Sequence, residues 1–166
     1  MSALYNGNLS NNIFSKDSYF TQGLIELLGA EFIEHFYLIV DLDFNDLSEC
    51  KPVAQSEKSI VAFASNDFSF YKSYPYKDIP VLDKRSSESE ILSFFLQKKS
   101  SGNYHTKFHL SQRERQMLIM MSRGESNEQI AEELGVKLKT IYTHRRNLMT
   151  KLGCKNRVIF HNLLFK

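Results

Sequence analysis

The polar side chains between residues 138 and 152 are of the types that bind nucleic acids. Tyr142, Thr143 and Arg146 fall on one face of a predicted helix, because residues three or four positions apart are neighbours there. An arginine guanidinium can donate two hydrogen bonds to guanine, and tyrosine and threonine hydroxyls can bond a base or the backbone. The pattern therefore indicates a surface that recognises double-stranded DNA.

Basic and hydroxyl side chains surround these three residues. Thr140, near the start of the predicted helix, can contact a phosphate with its hydroxyl or through the helix N-terminus. Most hydrogen bonds in protein–DNA complexes go to phosphate and sugar, and they fix the register of the protein on the duplex. We predict phosphate contacts from Lys137, Lys139, Thr140, His144, Arg145, Lys151 and Lys155.

Four short helices are predicted to position this surface. The first begins at Ser111, where glutamate three residues later completes a capping box, and it ends at Gly124. The second begins with Asn127 as its cap, the third spans 138–152 and the fourth begins near Asn156. Apolar residues at helical spacing are expected to face inward: Leu110, Met117, Leu118, Met121, Ile130, Ala131, Leu134, Ile141, Leu148 and Leu152.

The charge is unevenly distributed along the 166 residues. Residues 101–166 contain 12 basic and 5 acidic residues, whereas residues 1–100 contain 9 basic and 14 acidic ones. Such asymmetry indicates a nucleic-acid-binding part joined to a part with another role. The polar segment QKKSSGNYHT separates them, so we predict a regulatory domain over 1–98, a linker over 99–107 and a DNA-binding domain over 108–166.

The first part of the chain alternates between predicted strands and helices, which is typical of an α/β fold with a parallel sheet. Continuous apolar runs such as FYLIVDL and SIVAFA indicate buried parallel strands. Strands are predicted at 12–14, 36–42, 59–64 and 79–82, helices at 19–28 and 87–96, and irregular structure at 46–58 and 67–78. The second part is predicted to be all-α, with four helices.

The bulk composition excludes several classes of protein. Hydrophobic residues make up 42% of the chain, which is enough for packed cores. No apolar run approaches the roughly 20 residues that span a bilayer, and no signal peptide is visible. Cys50 and Cys154 are isolated thiols, which fits a reducing cytoplasm. We therefore expect a cytoplasmic protein, associated with the nucleoid when bound to DNA, without a membrane partner.

Residues 110–157 closely resemble the LuxR/NarL/FixJ-type helix-turn-helix domain of bacterial transcription factors. The matching strings are LSQRE, NEQIAEEL, KTIYTHRRN and KLGCKNR. The resemblance implies that Tyr142, Thr143 and Arg146 contact bases, and that the last helix, over 156–165, is a dimerisation element. One departure is Lys137, where the family usually has serine, so that a basic side chain replaces a capping hydroxyl.

The first part more faintly resembles the receiver domain of response regulators. By that resemblance Asp41 stands at the phosphoacceptor position, Ser65 near the conserved hydroxyl and Lys84 at the conserved lysine. The acidic pair that holds Mg²⁺ in the family is replaced by Ser15 and Lys16, and the chain between the first strand and Asp41 is short. We expect a degenerate receiver-like domain in which Asp41 is vestigial, with no metal site and no cofactor.

The string KTIYTHRRN also resembles the recognition helix of enterobacterial auxiliary regulators of the EcpR (MatA) and RcsA type, which pair an atypical first domain with this helix-turn-helix. This resemblance implies a homodimer, or a heterodimer with another regulator, acting on fimbrial, adhesin or biofilm genes. In the heterodimer alternative the chain is an auxiliary subunit that binds DNA only beside a full response regulator.

An enzymatic alternative rests on Asp41 and Asp43, whose spacing after a buried strand resembles the start of the motif of HAD-type phosphatases. The threonine usual in that motif is replaced by Asn45, and no paired aspartates follow at useful spacing. His105, His109 and His161 lack the spacing of metal ligands. The sequence therefore favours a regulator without catalytic residues.

Overall fold

The N-terminal unit is built on a four-stranded parallel sheet. The computed structural model describes residues 11–47 and 57–165, and its internal contacts group residues 1–105 and residues 106–166 into two units. The strands are β1 (Ile13–Phe14), β2 (Tyr37–Asp41), β3 (Ser59–Ala64) and β4 (Val81–Asp83), and they neighbour one another in that order. All five residues of β2 are buried, as expected for a central parallel strand.

Helices and loops cover the two faces of this sheet. The helices are α1 (Ser18–Leu28), α2 (Ala30–Phe36), α3 (Asp67–Lys72) and α4 (Glu88–Leu96). Alternate strand residues such as Ile39 and Phe63 pack with α1, α2 and α4 on one face. On the other face Val40 and Ala62 pack with Leu47 and Tyr104. The predicted α/β class is therefore confirmed.

The segment between β1 and β2 interrupts the alternation of strands and helices. Only α1 and α2 lie between β1 and β2, and β1 pairs directly with β2, with Ile13 opposite Ile39 and Phe14 opposite Val40. The short stretch of chain between the first strand and Asp41 that the sequence showed thus holds two helices and no further strand. The carboxyl end of β2 is nevertheless retained, and Asp41 is its last residue.

Two helices depart from the sequence prediction. Residues 67–78 were expected to be irregular, but α3 forms there because the Asn66 side chain caps it by accepting a hydrogen bond from the Ser69 amide. Its six residues bury Phe68 and Tyr71, so tertiary packing stabilises a helix too short for a clear periodic signal. The helix α2 was also missed, because it follows α1 after Gly29 alone.

The C-terminal unit contains the four predicted helices. They are α5 (Gln112–Ser122), α6 (Asn127–Leu134), α7 (Leu138–Lys151) and α8 (Arg157–Leu164). Each contributes side chains to the core, among them Met117, Ile130, Ile141, Leu148 and Phe160, which are fully buried. Most of the predicted inward-facing positions are buried, although Leu134 and Leu152 remain partly exposed.

Side-chain caps explain where these helices begin. The capping box of Ser111 and Glu114 is present, as predicted. The cap of α6 is Ser126, which forms a second capping box with Gln129, so the prediction that Asn127 caps this helix was wrong. A serine one residue earlier provides the hydroxyl, and Asn127 becomes the first helical residue.

The boundary between the two units lies at 105/106, within the predicted linker of residues 99–107. Part of that segment packs onto the N-terminal unit. Tyr104 is buried, and its ring stacks on Phe70 with the centroids 4.9 Å apart. Its hydroxyl donates a hydrogen bond of 2.9 Å to Asp67, which anchors the end of the first unit.

Two other predictions concern the membrane and the cysteines. Within residues 11–47 and 57–165, no helix is long and apolar enough to cross a membrane. The thiol of Cys154 is free and buried, and burial raises its pKa, which lowers its reactivity. Cys50 lies outside the described residues.

Candidate functional site

The helix α7 presents the predicted base-contacting residues to solvent. Tyr142 is 47% exposed, and Thr143 and Arg146 are also exposed. Ile141 and Leu148 have no exposed surface and attach the opposite face of α7 to the core. The structure thus brings the three polar side chains together on the outer face of a helix anchored from behind.

The predicted phosphate-contacting residues divide by exposure. Lys137, Lys139 and Lys155 are exposed, so their ammonium groups are available to an anion. Thr140 and His144 are partly buried at the flank of α7. Lys137 is the N-cap of α7 but makes no side-chain cap hydrogen bond, as its replacement of a capping hydroxyl implies.

Lys151 has a structural contact that the sequence did not predict. Its ammonium lies 2.7 Å from a carboxylate oxygen of Glu114, whose side chain is only 4% exposed. It also donates a hydrogen bond of 3.3 Å to the carbonyl of His109. Burial alone would raise the pKa of Glu114, but the hydrogen bonds from Lys151 and Ser111 outweigh it and lower that pKa. Lys151 therefore holds α7 to the start of α5.

A second cluster of charges lies at the carboxyl ends of the strands in the N-terminal unit. The ammonium of Lys84, just after β4, is 2.8 Å from Asp41, 3.2 Å from Asp17 and 3.7 Å from Asp43. Ser15 donates a hydrogen bond to the same Asp41 oxygen that binds Lys84. The fold thus brings Asp41 and Lys84 together, as the resemblance to receiver domains implied.

The charged state of Lys84 is favoured in this cluster. Its burial opposes the charge, but the hydrogen bonds and charges of Asp41 and Asp17 prevail and raise the pKa of the ammonium. Phe20 lies under the ammonium, with its ring centroid 4.5 Å away. The pKa of Asp17 is lowered, first by its hydrogen bond from the Phe20 amide at the start of α1 and then by Lys84. Ion pairs of Lys84 with Asp41 and Asp17 therefore neutralise charge at this edge of the sheet.

Asp43 is the member of the cluster that the receiver comparison missed. It accepts a hydrogen bond of 3.1 Å from the backbone amide of Ser65 and approaches Lys84. Its spacing from Asp41 was noted only for the phosphatase alternative. Since Asp41 ends β2 and Asp43 follows two positions later, the alternation of side chains could have placed Asp43 on the same side as Asp41, near the next strand.

The carboxylates do not fit the Mg²⁺ that a receiver domain would hold. The Lys84 ammonium lies among Asp17, Asp41 and Asp43, so a cation of the chain itself stands where a metal would need their oxygens. In the part of the chain that the structure describes, no group of acidic, histidine or cysteine residues could hold a metal ion.

Comparison with known proteins assigns a family to the C-terminal unit. Residues 109–161 match the model of bacterial regulatory proteins of the luxR family. The match covers 53 of the 166 residues, so the similarity concerns this part of the chain. The base-contacting candidates on α7 and the Glu114–Lys151 pair all lie within the matched residues.

Curated relatives of the chain are regulatory proteins. A transcriptional regulatory protein UhpA of Escherichia coli strain K12 is 34% identical over 95 residues, which covers 51% of this chain and 48% of that protein. An oxygen regulatory protein NreC of Staphylococcus aureus strain JH9 is 44% identical over 48 residues, covering 29% of this chain and 22% of that protein. The chain therefore spans about half or less of these relatives' length.

A solved structure shares the order of the two units. The structure described as two RcsB dimers bound to two parallel DNAs covers 92% of this chain and 95% of its own, with a TM-score of 0.51 and 18% identity. At that identity the likeness concerns the fold alone. It supports an arrangement of a parallel-sheet unit followed by a luxR-family helical domain.

Proposed function

We propose that this chain is a DNA-binding transcriptional regulator whose α7 contacts the major groove. The observation that carries this proposal is the exposed face of Tyr142, Thr143 and Arg146 on α7, within a luxR-family domain. Arg146 would donate to guanine, and the two hydroxyl side chains would contact bases or nearby phosphates. The similar proteins, two regulators and a regulator bound to DNA, support the same role.

We propose that the other polar residues on and around α7 contact the phosphate backbone of the DNA. Lys137, Lys139 and Lys155 are exposed cations, and Thr140 and His144 flank them. Arg145 and Lys151, predicted from sequence to bind phosphate, also make contacts within the unit. Their contribution to DNA binding would therefore be combined with a contribution to folding.

Selection of bound fragments from genomic DNA, followed by Arg146→Ala on the selected site, tests this function. Loss of a base contact should weaken binding to that site by about 1–3 kcal/mol and relax the preference at one base position. The control is Lys139→Ala, which should weaken binding to all sequences equally. Equal losses on selected and random DNA for Arg146→Ala would remove it as a base contact.

We propose further that the N-terminal unit acts without phosphorylation. Asp41 has no exposed surface, and Lys84 and Ser15 already bind its carboxylate. The absence of catalytic residues is part of the same proposal, since a buried and paired Asp41 is poorly placed to attack a phosphoester. Incubation with acetyl phosphate and Mg²⁺ should leave the protein mass unchanged. An added phosphoryl group on Asp41 would contradict the proposal.

Dimerisation through α8 is the final part of the proposal. Val158 is 66% exposed and Ile159 is 44% exposed on this helix, so both could pack against a second regulator. Light scattering of the purified protein distinguishes a homodimer from a monomer that awaits another subunit. The EcpR (MatA) and RcsA type, adhesin or biofilm targets and a cytoplasmic location remain hypotheses of the sequence resemblance.

A further inference from the structure

A cleft of about 470 Å³ opens between three helices of the C-terminal unit. Asn127, the first residue of α6, and Arg157, the first residue of α8, line it. Tyr142, Arg145, Arg146 and Met149 of α7 complete its lining. The cleft therefore adjoins the proposed base-contacting face but also includes a residue from α8.

Three of the six residues that line the cleft are arginines. Arg145, Arg146 and Arg157 contribute three guanidinium groups. Among the described residues, no aspartate or glutamate forms an ion pair with any of the three. Three unneutralised guanidinium groups around one cleft attract an anion, and their planar donors suit phosphate oxygens.

Arg145 is the most firmly positioned of the three. Its Nη1 donates a hydrogen bond of 3.4 Å to the side-chain oxygen of Asn127, and its guanidinium lies 5.6 Å from the centre of the Phe160 ring. Its Nε is buried and has no hydrogen-bond partner among the described residues. A buried donor without a partner is unfavourable, so the structure leaves a hydrogen bond to be completed there.

Two helix N-termini add to the positive potential. Asn127 and Arg157 are the first residues of α6 and α8, and the first amides of a helix have no acceptor within it. Helix N-termini favour anions because their free amides and the helix dipole both point toward the ligand. The three arginines that line the cleft, with the unpaired Nε of Arg145 among their donors, lie beside these two helix starts.

We propose that this cleft binds one phosphodiester group of the DNA backbone and that Arg157 is a DNA contact in addition to those predicted from sequence. This inference rests on the proposed function. The cleft shares Tyr142 and Arg146 with the base-contacting face, so a duplex on α7 would bring its backbone alongside. The contact from Arg157 then links the start of α8 to the DNA backbone. It restricts the orientation of the duplex relative to α7.

The test measures how the affinity of the full chain for a 30-base-pair duplex of arbitrary sequence depends on salt. Each phosphate contact contributes about 0.9 to the slope of log affinity against log salt concentration. Arg157→Gln should reduce the slope by about 1 and weaken binding about 5- to 10-fold at 0.1 M salt. Arg123→Gln, which removes an exposed arginine that does not line the cleft, is the matched control and should retain the slope.

Arg157→Lys separates charge from folding. It retains the cation and should keep most of the slope, and all variants should keep the melting temperature of the parent chain. A slope unchanged by Arg157→Gln overturns the inference while the proposed function stands. Equal loss of binding in Arg157→Lys and Arg157→Gln, together with a lower melting temperature, also overturns it. If the parent chain binds no duplex at low salt, the proposed function fails as well.

Inorganic phosphate distinguishes the source of the anion. Under the proposal, millimolar phosphate without DNA should not raise the melting temperature more than chloride does at the same ionic strength. A phosphate-specific rise that Arg157→Gln abolishes, with an unchanged DNA salt slope, would identify a site for free phosphate and overturn the phosphodiester assignment.

Discussion

At the scale of single residues, Lys84 is the cation that compensates the carboxylates at the strand ends of the N-terminal unit. One ammonium, with 12% of its side chain exposed, contacts three carboxylates, of which Asp41 is fully buried. Removal of one partner from a buried ion pair is unfavourable because the remaining charge loses its compensation. The stability of this unit should therefore depend on Lys84 far more than on a surface lysine.

Substitution Lys84→Met is expected to destabilise the N-terminal unit by about 3 kcal/mol at pH 7. Tyrosine fluorescence during urea unfolding is a suitable probe, because seven of the eight tyrosines lie in residues 1–105 and the chain has no tryptophan. Arg85→Met is the control: its pair with Asp83 is half exposed and screened by solvent, so its loss should lower the unfolding free energy much less. Similar losses in the two variants would contradict the role assigned to Lys84.

The effect of Lys84→Met should also depend on pH. Lys84 contributes to lowering the pKa of Asp17, so this part of its stabilising effect is present above the ordinary aspartate pKa and is lost as Asp17 is protonated. The difference in unfolding free energy between parent and variant should be largest above about pH 4 and shrink below it. A difference that is constant from pH 3 to pH 7 would contradict the electrostatic explanation.

Glu114 provides a pH-sensitive contact in the C-terminal unit. Its pKa is lowered, so its contribution to stability is present above the ordinary value and is lost as the pH falls through the folded-state value. We expect Glu114→Gln to destabilise the helices at pH 7 and to flatten the decline in stability below about pH 4.5. Helical circular dichroism during unfolding measures both. A parallel decline in variant and parent would exclude Glu114 as the source.

At the scale of elements, α7 begins without a side-chain cap and with an exposed cation at its N-cap. Its N-cap is Lys137, which offers no side-chain acceptor, whereas α5 and α6 each begin with a complete capping box. Serine at this position would accept a hydrogen bond from an amide of the first turn. The lysine therefore exchanges a capping interaction for a cation beside the proposed DNA-binding face.

Substitution Lys137→Ser should stabilise the C-terminal unit by about 1 kcal/mol and reduce the DNA salt slope by about 1. Chemical unfolding and salt-dependent binding measure the two effects separately. Lys139→Ser removes the same charge inside the first turn without supplying a cap. It should reduce the slope without the gain in stability, and equal gains in both variants would exclude capping as the cause.

Local sequence signals predicted most elements of the fold. The strand-length apolar runs found β2 and β3, and serine–glutamate spacing found the start of α5. The helix α3 escaped because its six residues are stabilised by packing, which local periodicity does not reveal.

The candidate site was predictable only in part, because some of its contacts join segments that are distant in the sequence. The exposed face of α7 follows from helical spacing, so Tyr142, Thr143 and Arg146 were found from sequence alone. Asp43 beside Lys84 and Glu114 beside Lys151 depend on contacts between distant segments, 41 and 37 positions apart. Such pairs become visible only when the strands and helices are placed in space.

At the scale of the whole molecule, α8 leaves an apolar surface exposed. Val158 and Ile159 lie on that surface, while Phe160 and Leu164 of the same helix are buried. We expect Val158→Glu to convert a dimer into a monomer, since a charge would be desolvated at the contact. Leu96→Glu, which changes a leucine that is 68% exposed in the N-terminal unit, should leave the assembly unchanged.

Light scattering over a range of protein concentrations measures this effect. The parent chain should be dimeric at micromolar concentration, and Val158→Glu should shift the midpoint of dissociation upward at least 10-fold, which is about 1.4 kcal/mol. A parent chain that is monomeric throughout would favour assembly with a second regulator. A Val158→Glu dimer as stable as the parent would place the interface elsewhere.

The cation among the carboxylates of the N-terminal unit is part of the polypeptide. The ammonium of Lys84 stays at a one-to-one ratio with Asp41 however dilute the protein becomes. A chelator cannot extract it, and a fall in cellular magnesium cannot deplete it. Because the counter-ion is a side chain of the same polypeptide, the carboxylates at this edge of the sheet are neutralised without a cation from solution.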